Sequence, residues 1–234
     1  MKILIVSATI AEIKPLANIL KLTLHNDTRL YHAKYNNHEI IILITGVGMV
    51  ATAFHIGCIE ANKFDMALNV GIAGSFNKAI TIGEVVNVAS DCFAELGADY
   101  GDTFVPLYNL DFATDFQTVF MNKNGEIINN ESSSNQVISG LKNVKGITVN
   151  TINGNAERIE KVQKHFSPDV ESMEGAAFMY ACMLKEIPCF QIRSISNYIE
   201  PRNLNNWNIP LAIGKVNKRL VEIIDAYADS KIYS

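Results

Sequence analysis

A few polar side chains in this sequence stand where they can act on a small ligand. The run 188–195 reads as an apolar strand and then opens into polar residues, with the amide Asn197 at the opening. Strands of parallel sheets covered on both faces read as such runs, and ligands bind beyond their carboxyl ends. Asn197 therefore sits where a ligand is read. An amide carries both a donor and an acceptor, so it matches a ligand edge that shows one of each. Glu174 enters a helix of small apolar residues, with no further charged side chain before Lys185. A carboxylate there needs strong partners, because an unpaired buried charge is expensive. Backbone N–H groups at the helix start meet that need, and so does a pair of vicinal ligand hydroxyls. Glu12 lies just after the first apolar run, near the first turn of a helix. Acids are common there for dipole reasons, and the same place suits a general base acting on water.

Glycines mark two further stretches. Thr45, Gly46, Gly48 and Ala51 follow a strand and open a helix in the Gly-x-Gly-x-x-Ala form of a dinucleotide fingerprint. That fingerprint also needs an acid about 20 residues on to hold the ribose, and here the next strand ends at Leu68, Asn69, Val70 and Gly71. A tight turn with close helix packing explains these glycines better. Gly71 and Gly74 read as a second turn at a strand end, whose N–H groups could face a ligand or serve only the turn.

The elements that position these residues follow from periodicity. Apolar runs at 3–6, 39–44, 66–70, 84–89, 147–149 and 188–195 predict strands, and apolar spacings of three and four predict helices over 15–24, 50–61, 173–184 and 211–227. This alternation implies an α/β fold with a mostly parallel, helix-covered sheet. The stretch 123–135 is polar apart from an Ile pair and reads as an exposed loop. No internal repeat or linker divides the 234 residues, which fit a single domain, 1–234.

Composition narrows the partners. A formal charge of −4 and no basic run argue against nucleic acid. The apolar run 3–10 is too short for a signal segment or a membrane span, so a cytoplasmic protein is expected. Cys58, Cys92, Cys182 and Cys189 form no Cys-x-x-Cys pair and sit among apolar neighbours, as reduced buried thiols do. The histidines show no metal-ligand spacing, and no metal is expected.

Glu12 beyond the first strand, Gly71 and Gly74, Ser172, Met173 and Glu174 entering a helix, and Arg193 to Asn197 ending a strand occur in one order. Together they resemble the nucleoside phosphorylase/nucleosidase superfamily over nearly the whole chain. The likeness is greatest to bacterial 5'-methylthioadenosine/S-adenosylhomocysteine nucleosidases and their futalosine hydrolase relatives. The segment 193–203, continuing through Trp207 to Ile213, looks like the latter. The resemblance implies a three-layer α/β/α fold with a central mixed, mostly parallel sheet, no cofactor, a homo-oligomer, and hydrolysis of a purine N-ribosidic bond. In that reading Glu12 activates water, Met173 packs by the sugar, and Glu174 accepts from the 2'- and 3'-hydroxyls. Phe104 and Gly154 are candidates for the 5' pocket.

Departures from the family pattern choose among relatives. Phosphorylases carry an arginine just before the glycine pair and a Gly-Asp-Pro-like loop after the first strand, where this chain has Asn69 and Ser7, Ala8 and Thr9. Water is therefore the expected nucleophile. Adenine-cleaving nucleosidases carry an aspartate where Asn197 stands. An amide can donate to O6 of hypoxanthine and accept from a protonated N7, whereas a carboxylate opposes O6, so a 6-oxopurine nucleoside such as futalosine is expected. Ser172 replaces a residue that is often acidic in relatives. Arg202 could meet a substrate carboxylate, since guanidinium forks suit carboxylates. Arg193 is expected to anchor local carboxylates. The alternatives are an adenine-cleaving nucleosidase acting on methylthioadenosine, S-adenosylhomocysteine or aminodeoxyfutalosine, a phosphorylase, and a non-catalytic nucleoside-binding protein.

Overall fold

The computed structural model describes residues 1–25, 28–60, 64–101, 103–111, 121–129, 131 and 133–229. The chain runs β1 (Lys2–Ser7), α1 (Ile10–Ile19), β2 (Leu30–Tyr35), β3 (His38–Ile44), α2 (Met49–Gly57), β4 (Met66–Ser75) and β5 (Val85–Asp91). There follow β6 (Gly97–Tyr100), β7 (Thr103–Pro106), β8 (Ile127–Ile128), α3 (Gln136–Ser139), β9 (Lys142–Thr148), α4 (Ala156–Phe166), β10 (Val170–Ser172), α5 (Gly175–Leu184), β11 (Cys189–Tyr198) and α6 (Ile209–Asp229).

The main sheet has the order β10-β9-β5-β11-β4-β1-β3-β2. β1 pairs in parallel with β3 and β4, and β4 with β11, while β2 and β5 run antiparallel to their neighbours β3 and β11. Strand alternation then builds a core on each face. Ile3, Ile5, Ile40, Ile42 and Leu68 pack towards Leu16 of α1 and Val216 and Leu220 of α6. Leu4, Val6, Ile41, Leu43 and Ala67 pack the other way, on Ile56 of α2 and Ala176, Met179 and Cys182 of α5. The result is the expected mixed sheet between helical layers.

One feature of the topology builds the site. β10 pairs in parallel with β9 and also antiparallel with the end of β4, through Val170 with Ser75 and Glu171 with Gly74. The strands β4, β11, β5, β9 and β10 thus close into a small ring, with Ala73, Val86, Val88, Val144, Val170 and Ile195 packed together as a core cluster of their own. Closure brings residues 171–174 beside the carboxyl ends of β4 and β11.

Several expectations need correcting. Gly71 and Gly74 do not form a turn, because β4 continues through both to Ser75. The first helix starts at Ile10 rather than 15, set by a capping box in which Thr9 and Glu12 satisfy each other's backbone N–H. Pro15 is carried inside that helix. The stretch 123–135 is not simply exposed. Ile127 is fully buried as β8 pairs with β5, and buried Asn135 caps α3; residues 130 and 132 lie outside the described residues. Cys58 is exposed, unlike the other cysteines. Among the described residues no helix is long and apolar enough to cross a membrane.

Candidate active site

A cavity of about 310 Å³ opens at the carboxyl ends of β1, β4 and β11, and Glu12, Gly74, Met173, Glu174 and Asn197 all line it. Each arrives by a different local device. Glu12 is held by its capping box: Oε2 accepts from Thr9 N–H at 3.0 Å and Thr9 Oγ1 at 2.8 Å. Its Oε1 accepts from Ile72 N–H of β4 at 3.3 Å. Burial pushes the Glu12 carboxyl above its ordinary value of 4.5, and the Glu174 charge adds to the rise. The Arg193 guanidinium, the Thr9 hydrogen bond and the Ile72 N–H oppose it by favouring the ionised form.

Glu174 stands at the N-cap position of α5, yet its side chain does not cap that helix. Oε1 instead accepts from Gly48 N–H at 3.0 Å, and Oε2 lies 3.9 Å from Arg193 Nη2. Gly48 has φ 98°, a left-handed backbone that favours glycine. The Gly46 and Gly48 turn, read from sequence as a packing feature, therefore also anchors a site carboxylate.

Asn197 follows a β-bulge: the register of β11 on β4 slips between Ile195 and Asn197, so that Asn197 sits opposite Gly74. Bulges re-aim side chains near functional sites. Asn197 is 4% exposed; Oδ1 accepts from Ser196 Oγ at 2.8 Å and Nδ2 donates to the Tyr198 carbonyl at 3.0 Å. Because a carbonyl only accepts, this contact fixes the amide with its nitrogen towards Tyr198. One amide hydrogen and one oxygen lone pair are left for a ligand.

The glycines make room for side chains. A Cβ on Gly71 would overlap the Arg193 guanidinium and come within 2.7 Å of Glu12 Oε1. A Cβ on Gly74 would overlap Ile199 and lie 3.2 Å from Asn197 Nδ2. Arg193 itself is fully buried, donating from Nε to Gln191 Oε1 at 3.1 Å and from Nη2 to Asn69 Oδ1. Its hydrogen bonds thus go to two amides, and its nearest carboxylate contact is the 3.9 Å approach to Glu174.

The remaining candidates sit elsewhere. Gly154 and Arg202 border a narrow recess that shares Ile152, Asn197 and Trp207 with the cavity. The Arg202 N–H donates to the Gly154 carbonyl at 3.2 Å, and its guanidinium lies 5.9 Å from the centre of the Trp207 ring. Phe104, on β7, does not line the cavity; it packs on His165 and Phe166 at the end of α4, with centroids 5.9 and 6.3 Å away. The reason is the β6–β7 hairpin, which carries Phe104 to that aromatic cluster.

Sequence reasoning missed Glu171, which also lines the cavity and accepts from Asn153 N–H at 3.0 Å and from Asn153 Nδ2. That pairing ties the wall around Ile152 to β10. Its one sequence signal is its place three residues before Glu174, just ahead of the helix of small apolar residues. The capping-box spacing of Thr9 and Glu12 was also legible.

The family model described as Phosphorylase superfamily matches residues 2–229. A 5'-methylthioadenosine/S-adenosylhomocysteine nucleosidase of Buchnera aphidicola is 27% identical, with 96% of each chain covered. A futalosine hydrolase of Streptomyces coelicolor is 25% identical over 74% of this chain and 73% of that one. The structure of a futalosine hydrolase of Helicobacter pylori superposes with a TM-score of 0.77 at 20% identity, covering 96% of this chain and 97% of that one. The match to the family model spans every element from β1 to α6, and on it the chain belongs to the phosphorylase superfamily.

Proposed function

We propose that this protein is an N-glycosidase that hydrolyses a 6-oxopurine nucleoside, and that the nucleoside is futalosine, cleaved to hypoxanthine and dehypoxanthinyl futalosine on a route to menaquinone. Water is the nucleophile. Among the described residues the cavity is lined by Glu12, Glu171 and Glu174 and by no lysine, arginine or histidine, so a phosphate dianion would meet carboxylates without a facing cation. Asn69 is no substitute, since its amide is engaged by Arg193 and by the Val6 carbonyl.

In the reaction Glu12 takes a proton from the attacking water. Glu174 accepts from the ribose hydroxyls, its second oxygen facing buried Arg193, and Met173 packs against the sugar. As the ribosyl group gains oxocarbenium character, the departing purine gains negative charge, so donors and a proton at the base matter most. Asn197 donates to O6 and accepts from N7–H.

The observation that carries this reading is the hydrogen-bond inventory of Asn197, which leaves one donor and one acceptor at the cavity. That pair complements O6 beside N7–H. Incubating the purified protein with futalosine, inosine, methylthioadenosine and aminodeoxyfutalosine, without phosphate, should release hypoxanthine fastest from futalosine. Preferential release of adenine would refute the substrate assignment, and a requirement for phosphate would refute hydrolysis. Arg202, beside Trp207 at the cavity edge, receives the substrate carboxylate; Arg202→Ala should raise KM for futalosine and leave that for inosine unchanged.

A further inference from the structure

Behind the cavity, a chain of buried side chains connects Asp91 on β5 to Arg193. Asp91 is 1% exposed; its Oδ1 accepts from Cys92 N–H at 2.8 Å and Thr148 Oγ1 at 3.0 Å. Its Oδ2 accepts from Gln191 Nε2 at 2.9 Å, and Gln191 Oε1 accepts in turn from Arg193 Nε at 3.1 Å. Arg193 then meets Asn69 through Nη2, stands 3.9 Å from Glu174, and shares the space over Gly71 with Glu12. Neither Asp91 nor Gln191 lines the cavity.

The chemistry of the first link gives the chain a direction. An ionised carboxylate only accepts, so Asp91 draws the nitrogen of the Gln191 amide towards itself and leaves its oxygen for Arg193. A neutral amide at 91 would let Gln191 turn over and set its NH₂ against the Arg193 Nε–H. The space is also built for the pair: a Cβ on Gly175, at the start of α5, would overlap both Asp91 and Gln191. Burying a carboxylate this deeply is costly, so a residue that only filled space would be better as an apolar side chain.

We propose that Asp91 and Gln191 are positioning residues for the reaction: Asp91 fixes the direction of the Gln191 amide, and Gln191 fixes the guanidinium of Arg193 between Glu12 and Glu174. The inference rests on the nucleosidase reading of the cavity. The groups facing Arg193 are Glu12 from α1, Asn69 from β4, Gln191 from its own strand and Glu174 at the start of α5, with Asp91 of β5 one residue further back.

The test uses the full chain carrying Asp91→Asn or Gln191→Met. It measures kcat and KM for the nucleoside that the wild type cleaves, the acidic limb of kcat/KM, Tm, and the Arg193 Nε–H resonance. Loss of one hydrogen bond to a charged group predicts a fall in kcat of about tenfold in each variant, larger than the change in KM. Asp91→Asn should not lower Tm at pH 7. In Gln191→Met the acidic limb should move to higher pH, because a loosened Arg193 favours ionised Glu12 less. The Nε–H resonance should broaden in both variants. Wild-type kcat with an unmoved limb would overturn the inference, and so would activity losses matched by losses of Tm. A sharp, unshifted Nε–H signal in Asp91→Asn overturns it whether or not any nucleoside is cleaved. A wild-type protein that cleaves none of the nucleosides refutes the functional reading alone.

Discussion

Exchanging Asn197 for aspartate alters one atom of the site and separates the substrate assignment from its rivals. In the native protein Nδ2 donates to the Tyr198 carbonyl at 3.0 Å and keeps one hydrogen for the ligand. A carboxylate puts an acceptor in both places. The Tyr198 carbonyl then loses its donor, and purine O6 meets a lone pair. Each unmatched buried polar group costs about 1–3 kcal/mol. The first cost falls on every substrate and on stability, while the second falls on 6-oxopurines alone. A 6-amino group instead donates to the new carboxylate. At 1.4 kcal/mol per tenfold, the ratio of kcat/KM for futalosine over aminodeoxyfutalosine should drop by about 10- to 100-fold. The two compounds differ at the purine 6-position, so any loss of folded enzyme cancels in the ratio. Base release followed by chromatography on wild type and variant gives the four rate constants needed. An unchanged ratio, or one that rises, would remove Asn197 from base selection.

Four other outcomes follow from the same geometry. Glu12→Gln keeps a residue that serves a capping box, so Tm should change little while kcat falls by about 10²–10⁴-fold; a variant with near-native turnover would exclude Glu12 as the base. Because the Glu12 carboxyl lies above 4.5 and must be ionised to accept a proton, kcat/KM should fall as pH drops through that raised value. A flat profile down to pH 4.5 would contradict this. Burial pushes Asp91 up to about 6 from 3.8, against its hydrogen bonds from Gln191 and Thr148, the Arg193 charge and the Cys92 N–H. The folded state therefore holds a proton that the unfolded chain has released, and the stability associated with it is lost as pH rises from about 4 through 6. The loss amounts to about 3 kcal/mol, so denaturation of Asp91→Asn should show its advantage over wild type growing across that window. Gly71→Ala forces a Cβ into the Arg193 guanidinium and towards Glu12, so activity should fall far more than Tm.

The wall strands, the flanking helices and much of the cavity were legible from residue order. The runs that became β1, β3, β4 and β11 are apolar because both faces are covered, and such burial leaves a plain compositional trace. Asn197 and Glu174 were visible for the opposite reason, as polar residues in apolar surroundings. Short elements left less trace. β10 has three residues and β8 two, and their pairing depends on partners far away in the chain. The packing of Phe104 on His165 and Phe166 left no trace either, because the β6–β7 hairpin decides which way that aromatic residue faces.

The sequence by itself determined which residue types are present at strand ends and how the apolar faces alternate, since both follow from local spacing. Only tertiary structure decided how the carboxylates are satisfied. Glu174 takes its hydrogen bond from Gly48, 126 residues away, rather than from its own helix, and Asp91 reaches Arg193 through Gln191, 100 residues along from it. Ring closure by β10 and the bulge before Asn197 bring these groups together. Satisfying a buried charge is a matter of distance in space, and separation along the chain carries no information about it until the sheet has closed.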